Sequence, residues 1–204
     1  MAKTQTSDML ETKKNQSEKN SSPELKKKSE KQKTLDDLFE KKLKSMYDAE
    51  QQLVKALPEI AQAADNEELQ DAINEHLQQT KRHVERLEKI FDRLQIDKSE
   101  SEACEVMTGL INAGKKIIEE MEAGPVRDSA LIIGAQEIEH HEIAAYGSLC
   151  ELADVLEHSK IADLLDRTLQ EEEDTDKKLT YIAQDINDEA YEMSDNEQYE
   201  LEEN

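Results

Sequence analysis

Four stretches of the chain carry apolar side chains at alternating three- and four-residue steps, the spacing that keeps positions on one helix face. The first reads Phe39, Leu43, Met46, Glu50, Leu53, Leu57, and the second Leu69, Ile73, His76, Thr80, His83, Leu87, Ile90, Leu94. The third reads Ile132, Gln136, Glu139, Ile143, Tyr146, Cys150, with Glu142 one step round from Glu139, and the fourth Leu165, Leu169, Glu172, Asp176, Leu179, Ala183. These stripes predict long amphipathic helices over about 34–64, 67–95, 126–156 and 159–188.

Local signals place the ends. Thr34 with Asp37 three residues on is a helix start, and Asp65-Asn66 supplies the turn and cap of the second helix. Pro58 is expected to kink the first helix or to start its last turns. Between the second and third stripes, residues 102–122 hold a shorter, Gly-interrupted helical pattern ending at Gly124-Pro125. Links as short as 64–66 and 157–158 force antiparallel pairs, so the order is hairpin, crossover helix, hairpin. The expected fold is all-α, a four-helix bundle of two antiparallel hairpins with a short crossover helix.

Composition agrees with this picture. The 204 residues include only five Gly, three Pro and no Trp, and the length suits one domain with its own core. Residues 1–33 are rich in Lys, Ser, Thr, Gln and Asn with few large apolar side chains, and are expected to be a disordered Lys-rich tail. The bundle then occupies 34–188. The stretch from Asp185 contains nine acids and no base, and 189–204 is expected to fray as an acidic tail.

Net charge is −23, unevenly placed. Residues 1–34 carry nine Lys against five acids, +4, and the remainder 17 bases against 44 acids, −27. An acidic body argues against nucleic-acid binding by the folded domain and favours attraction of cations, which leaves the Lys-rich tail as the route to a nucleic acid. Two cysteines cannot form a disulfide framework, and no stretch is apolar for the length of a membrane span. The expectation is a soluble, cytoplasmic protein.

The polar interruptions of the stripes fall near the midpoints of all four helices, where they can meet. No Lys or Arg lies on any stripe, so carboxylates turned inward lack a cationic partner there. An ionised carboxylate buried without one costs several kcal/mol, and a divalent cation removes that cost. Glu50, Glu139, Glu142, Glu172 and Asp176 are the candidate carboxylate ligands and His83 the candidate imidazole. Hard oxygen donors with one or two imidazoles suit iron or manganese better than zinc. His76 reads as a hydrogen-bonded core histidine, one of His140 and His141 as an outer partner orienting a ligand, and Tyr47 and Tyr146 as packing residues. The hairpins also repeat weakly: Glu50 to His83 spans 33 residues and Glu142 to Asp176 spans 34.

The strings LKSMYDAEQ (43–51), MTGL (107–110), VRDSAL (126–131), QEIEHHEIAAYG (136–147) and LLDRTLQEEEDTDKKL (164–179) resemble the YciF/YciE group of ferritin-like proteins, over about 34–188. The resemblance implies a ferritin-like bundle, a homodimer, a di-iron centre and an association with bacterial stress responses. It also marks a departure: Gln79-Thr80 stands where family members usually carry Glu-Thr, and His83 where Gln is common. The functional expectation is oxidation of ferrous iron by peroxide or oxygen at a two-ion centre. The alternatives are a structural or adaptor bundle that has lost full metal binding through the Gln79 change, and a scaffold whose Lys-rich tail docks a partner or nucleic acid.

Overall fold

The computed structural model describes residues 34–99 and 102–202, with side chains described as far as 193. The described residues form five helices and no strand: α1 (Leu35–Ala63), α2 (Glu67–Leu94), α3 (Glu105–Glu120), α4 (Pro125–Val155) and α5 (Ser159–Glu202). The Lys-rich tail expected over 1–33 lies outside them.

Each helix begins where its local chemistry satisfies the free backbone N–H groups. Thr34 caps α1 through a reciprocal box, its hydroxyl accepting from the Asp37 amide while the Asp37 carboxylate accepts from the Thr34 amide. Asn66 caps α2 by accepting from the Leu69 amide at 3.0 Å. Pro125 opens α4, where its missing N–H costs nothing. Pro58 stands inside α1 with its ring exposed, and the helix runs on to Ala63. The expected end of the fourth helix is overturned: α5 reaches Glu202 because neither Gly nor Pro interrupts the chain after residue 158.

Around the bundle the helices pack in the order α1, α2, α5, α4 and back to α1, and α3 lies across α1 and α4. Helix α4 therefore meets neighbours on three sides. Its apolar positions are spread widely to match, whereas α2, packed against α1 and α5, keeps a single buried line. Along that line Leu69, Ile73, His76, Thr80, His83, Leu87 and Ile90 are all buried, as the spacing predicts. The fourth line holds at Leu165, Glu172 and Leu179 but departs between them: Thr168 and Thr175 are buried while Leu169 and Asp176 are half-buried, and Ile161, Ala162, Ile182 and Ile186 are the other buried side chains described on α5.

Asp128, in the first turn of α4, joins the two hairpins. Its buried carboxylate accepts from the Asp65 amide at 3.0 and 3.1 Å and from the Asn66 amide at 2.7 Å, and neighbouring Arg127 donates to the Ala63 carbonyl. The α1–α2 corner is thus held by the start of the other hairpin. Replacing Asp128 by Ala leaves two backbone donors unpaired, and a loss of about 2–3 kcal/mol is expected. Urea unfolding checks it: the midpoint falls while the slope stays constant.

Candidate metal centre

The side chains that interrupt the stripes converge at mid-bundle. Glu50 comes from α1, His76 and His83 from α2, Glu139 and Glu142 from α4 and Glu172 from α5, and every one of them is buried. The spacings explain the convergence. His76 and His83 are two turns apart on one face of α2, and Glu139 and Glu142 are neighbours three residues apart on α4.

These donors form two groups that share one member. His76, Glu139, Glu142 and Glu172 offer ligand atoms within 4.8 Å of one another, and so do Glu50, His83 and Glu172; either group could hold a metal ion. Glu172 faces both, with Oε1 2.9 Å from His83 Nδ1 and Oε2 3.9 Å from His76 Nδ1. His76 Nε2 lies 3.3 Å from Glu139 Oε1, and His83 Nδ1 3.5 Å from Glu50 Oε1.

Few of these contacts are hydrogen bonds. Among the described residues, neither oxygen of Glu142 or Glu172, neither ring nitrogen of His76, nor Glu50 Oε2, Glu139 Oε2 and His83 Nδ1 has a partner in bonding geometry. Buried acceptors and donors are almost always paired, so nine orphan atoms in one place mark a cluster shaped for something other than its own members. Glu50 Oε1, by contrast, accepts a short bond from the Tyr146 hydroxyl.

The electrostatics follow from burial. Loss of water, then the charges of Glu172 and Glu50, drive the Glu139 carboxyl well above its usual range. Glu142 rises likewise, through burial and then Glu50 and Glu172. Burial also lifts Glu172, helped by the charges of Glu50 and Glu171, but contact with His83 limits the rise to about 7. His76 is pushed down to about 4 by burial and by the charge on His83, so it stands neutral with both nitrogens unpaired. Burial opposes charge on His83 too, yet the Glu50 charge, the bond to Glu171 and the close approach of Glu172 and Glu50 outweigh it and hold the ring protonated up to about 12.

A second ring of contacts fixes His83. Its Nε2 bonds Glu171 Oε2 at 2.7 Å, and Arg86 grips both Glu171 oxygens at 3.2 Å while donating to the Thr168 hydroxyl. Burial works against the Glu171 charge, but bonds from His83 and Arg86 hold its carboxyl down at about 2. The Nε2 side of the ring is thereby committed outward and Nδ1 is turned to the cluster.

Five of the six residues expected as ligands therefore come together: Glu50, His83, Glu139, Glu142 and Glu172. Asp176 does not. One residue past inward-facing Thr175, its carboxylate is half-buried and lies beside Gln136 Nε2 at 3.0 Å and His140 Nε2 at 3.3 Å. Gln79 is also outside both groups, its Oε1 accepting from the Thr175 hydroxyl. Neither His140, which is exposed, nor His141, whose Nε2 meets Cys104 Sγ at 3.7 Å, orients a member of the cluster. His76 belongs to it, against the reading as a satisfied core histidine. Its signal was present, since it sits on the same stripe as His83. Tyr146 does more than pack, because it bonds Glu50; the role of Glu171 was hidden in an acidic run.

An all-α bundle whose central layer is carboxylate and imidazole is the ferritin-like class of architecture. Residues 34–192 match a family described as a domain of unknown function, DUF892, and the chain belongs to that family. It is 43% identical over 151 residues to protein YciF of Escherichia coli (strain K12), covering 74% of this chain and 91% of that protein. The crystal structure of the E. coli stress protein YciF superposes with a TM-score of 0.74 at 41% identity, over 77% of this chain and 99% of that one. YcfI, described as a putative structural protein from Rhodopseudomonas palustris, superposes with a TM-score of 0.71 at 36% identity, over 74% and 96% of the two chains. A protein of Xanthomonas campestris shares the fold at 16% identity, with a TM-score of 0.63.

The raised carboxyls fix the sign of a pH dependence. Glu139, Glu142 and Glu172 bind protons more tightly folded than unfolded, so their contribution is full below the ordinary Glu value near 4.5 and is lost as pH rises, for Glu172 through about 7. His83, raised from 6.5 toward 12, adds stability below 6.5 that also declines as pH rises. Glu171 and His76 act oppositely, the contribution of Glu171 falling away between 4.5 and 2 and that of His76 between 6.5 and 4, one imidazole set against three carboxyls and His83. Chelator-treated protein should melt at a higher temperature at pH 5 than at pH 8. Equal melting points in a calorimeter would show that the buried carboxyls do not titrate this way.

Proposed function

We propose that this chain is a two-ion carboxylate protein that binds ferrous iron at the shared cluster and oxidises it with oxygen or peroxide. The observation that carries the reading is Glu172, a buried carboxylate with one oxygen toward each donor group and neither oxygen hydrogen-bonded. Glu139, Glu142, His76 and Glu172 would hold one ion, and Glu50, His83 and Glu172 the other.

The donor set fits the metal. Carboxylate oxygens with one imidazole in each group suit iron or manganese. Four carboxylates supply four negative charges against the four positive charges of two ferrous ions. When bound, two ferrous ions together give up two electrons, which with two protons convert dioxygen to hydrogen peroxide, or peroxide to two waters.

The remaining work belongs to the chain. Glu171 and Arg86 fix the His83 ring so that Nδ1 faces the cluster, where it would be the nitrogen offered to a metal. Tyr146 orients Glu50 through its hydroxyl. Surrounding Leu53, Leu87, Ile138 and Leu149 exclude water, which keeps the carboxylates basic and the site selective for cations. The acidic surface raises the local concentration of ferrous ions. A homodimer, a cytoplasmic location and a part in a stress response complete the reading, the last drawn from the E. coli relative, which is described as a stress protein.

A structural bundle is the rival. Two observations favour it: the R. palustris relative is described as a putative structural protein, and Gln79, an amide where the resemblance implies a carboxylate, stands outside both donor groups with its Oε1 accepting from the Thr175 hydroxyl. Titration with ferrous iron under nitrogen separates the two. Binding of two equivalents per chain is expected, with Glu172→Ala weakening both by about 10–100-fold or more and Glu50→Ala weakening one. Iron binding unchanged in a Glu50→Ala, Glu139→Ala double variant would overturn the proposal.

A further inference from the structure

Beside the cluster the bundle is hollow. A partly open cavity of ≈ 30 Å³ lies among all five helices, lined almost wholly by apolar side chains, and its polar lining is His76, Glu139 and Thr175. Burial grades across it. Leu110 and Gly114 of α3 and Gly134 of α4 are half-buried, whereas Ile138, His76 and Glu139 are buried.

Two glycines make the space. A Cβ at Gly114 would meet nothing within 4 Å, and one at Gly134 only Ile117 Cδ1 at 3.8 Å. Both sit inside helices, where Gly is about 0.8–1.0 kcal/mol worse than Ala. Neither glycine is needed for close packing or for backbone conformation. What they leave is an apolar void ending at a histidine whose two nitrogens are both unpaired.

Size and lining select the occupant. The volume is about that of one water, but water needs two to four polar partners and the greater part of this wall offers none. An ion is excluded by the same wall. We infer that the cavity is a binding site for a small apolar molecule of dioxygen size, held between α3 and α4 and delivered to the His76–Glu139 side of the cluster. The inference rests on the proposed oxidation only for its purpose; the binding itself is a property of the cavity.

The test therefore begins without iron. Methyl NMR of the full-length chain under dissolved oxygen should show paramagnetic relaxation of Leu131, Ile138 and Leu179 several-fold greater than that of Leu43 and Leu165, which are also buried but do not line the cavity. Gly134→Val and Gly114→Leu, on separate helices, should each remove the excess while the rest of the methyl spectrum keeps its positions. Uniform relaxation across the core, or an excess unchanged in both filled variants, would overturn the inference, whatever the chain does with iron. With iron bound, the same variants should raise several-fold the oxygen concentration needed for half-maximal oxidation. Oxidation lacking in the unmodified chain would instead count against the proposed function and leave the methyl result standing.

Discussion

Four carboxylates and two imidazoles share one layer at the centre of this bundle, and the rest of the structure is arranged around the cost of putting them there. Removing ionised groups from water without partners is worth several kcal/mol for each. The long helices offset it. Each has apolar side chains on both sides of its interruption: Leu43 and Leu53 flank Glu50, Ile73 and Leu87 flank the histidines, Ile132 and Leu149 flank Glu139 and Glu142, and Leu165 and Leu179 flank Glu172. Two apolar layers clamp one polar layer, so the helices cannot slide without exposing the first or stranding the second.

The same clamp explains why the ends are tied so carefully. A register shift of α4 against α1 would carry Glu139 and Glu142 away from Glu50. Asp128 opposes it, because its buried carboxylate binds the backbone of the α1–α2 corner and so sets the depth of α4 against the first hairpin. Arg86 and Glu171 do the corresponding work between α2 and α5, and they do it next to His83.

Most of the architecture could be read from spacing alone, since long single-faced stripes, short polar links and Thr34 and Asn66 at the helix starts all act through local chemistry. The site was legible where the stripe and the buried line coincide, as for Glu50, Glu139, Glu142 and His83. On α5 it holds for Glu172 and departs at Asp176, for a physical reason. Thr168 and Thr175 take inward positions as an aliphatic residue would, Thr175 returning its hydroxyl to the Glu171 carbonyl, so apolar letters alone place Leu169 and Asp176 on the line instead. His76 reads as a satisfied core histidine only because pairing is invisible in a sequence. Only three-dimensional geometry shows that neither of its nitrogens finds a bond.

The two donor groups, although they share Glu172, are not equivalent. The group around His83 is braced from outside by Glu171 and Arg86 and is closed by Tyr146, so His83 and Glu50 are each positioned by another side chain. The group around His76 has no such brace. Its histidine is neutral and unpaired, and it borders an apolar cavity instead of a salt bridge. A weak internal repeat of the hairpins suggests a symmetric pair of sites, but the chemistry has diverged: one half is rigid and charged, the other open to a small apolar guest. That division follows from the second helix, where two histidines two turns apart face a bridge of polar contacts on one side and a gap left by two glycines on the other.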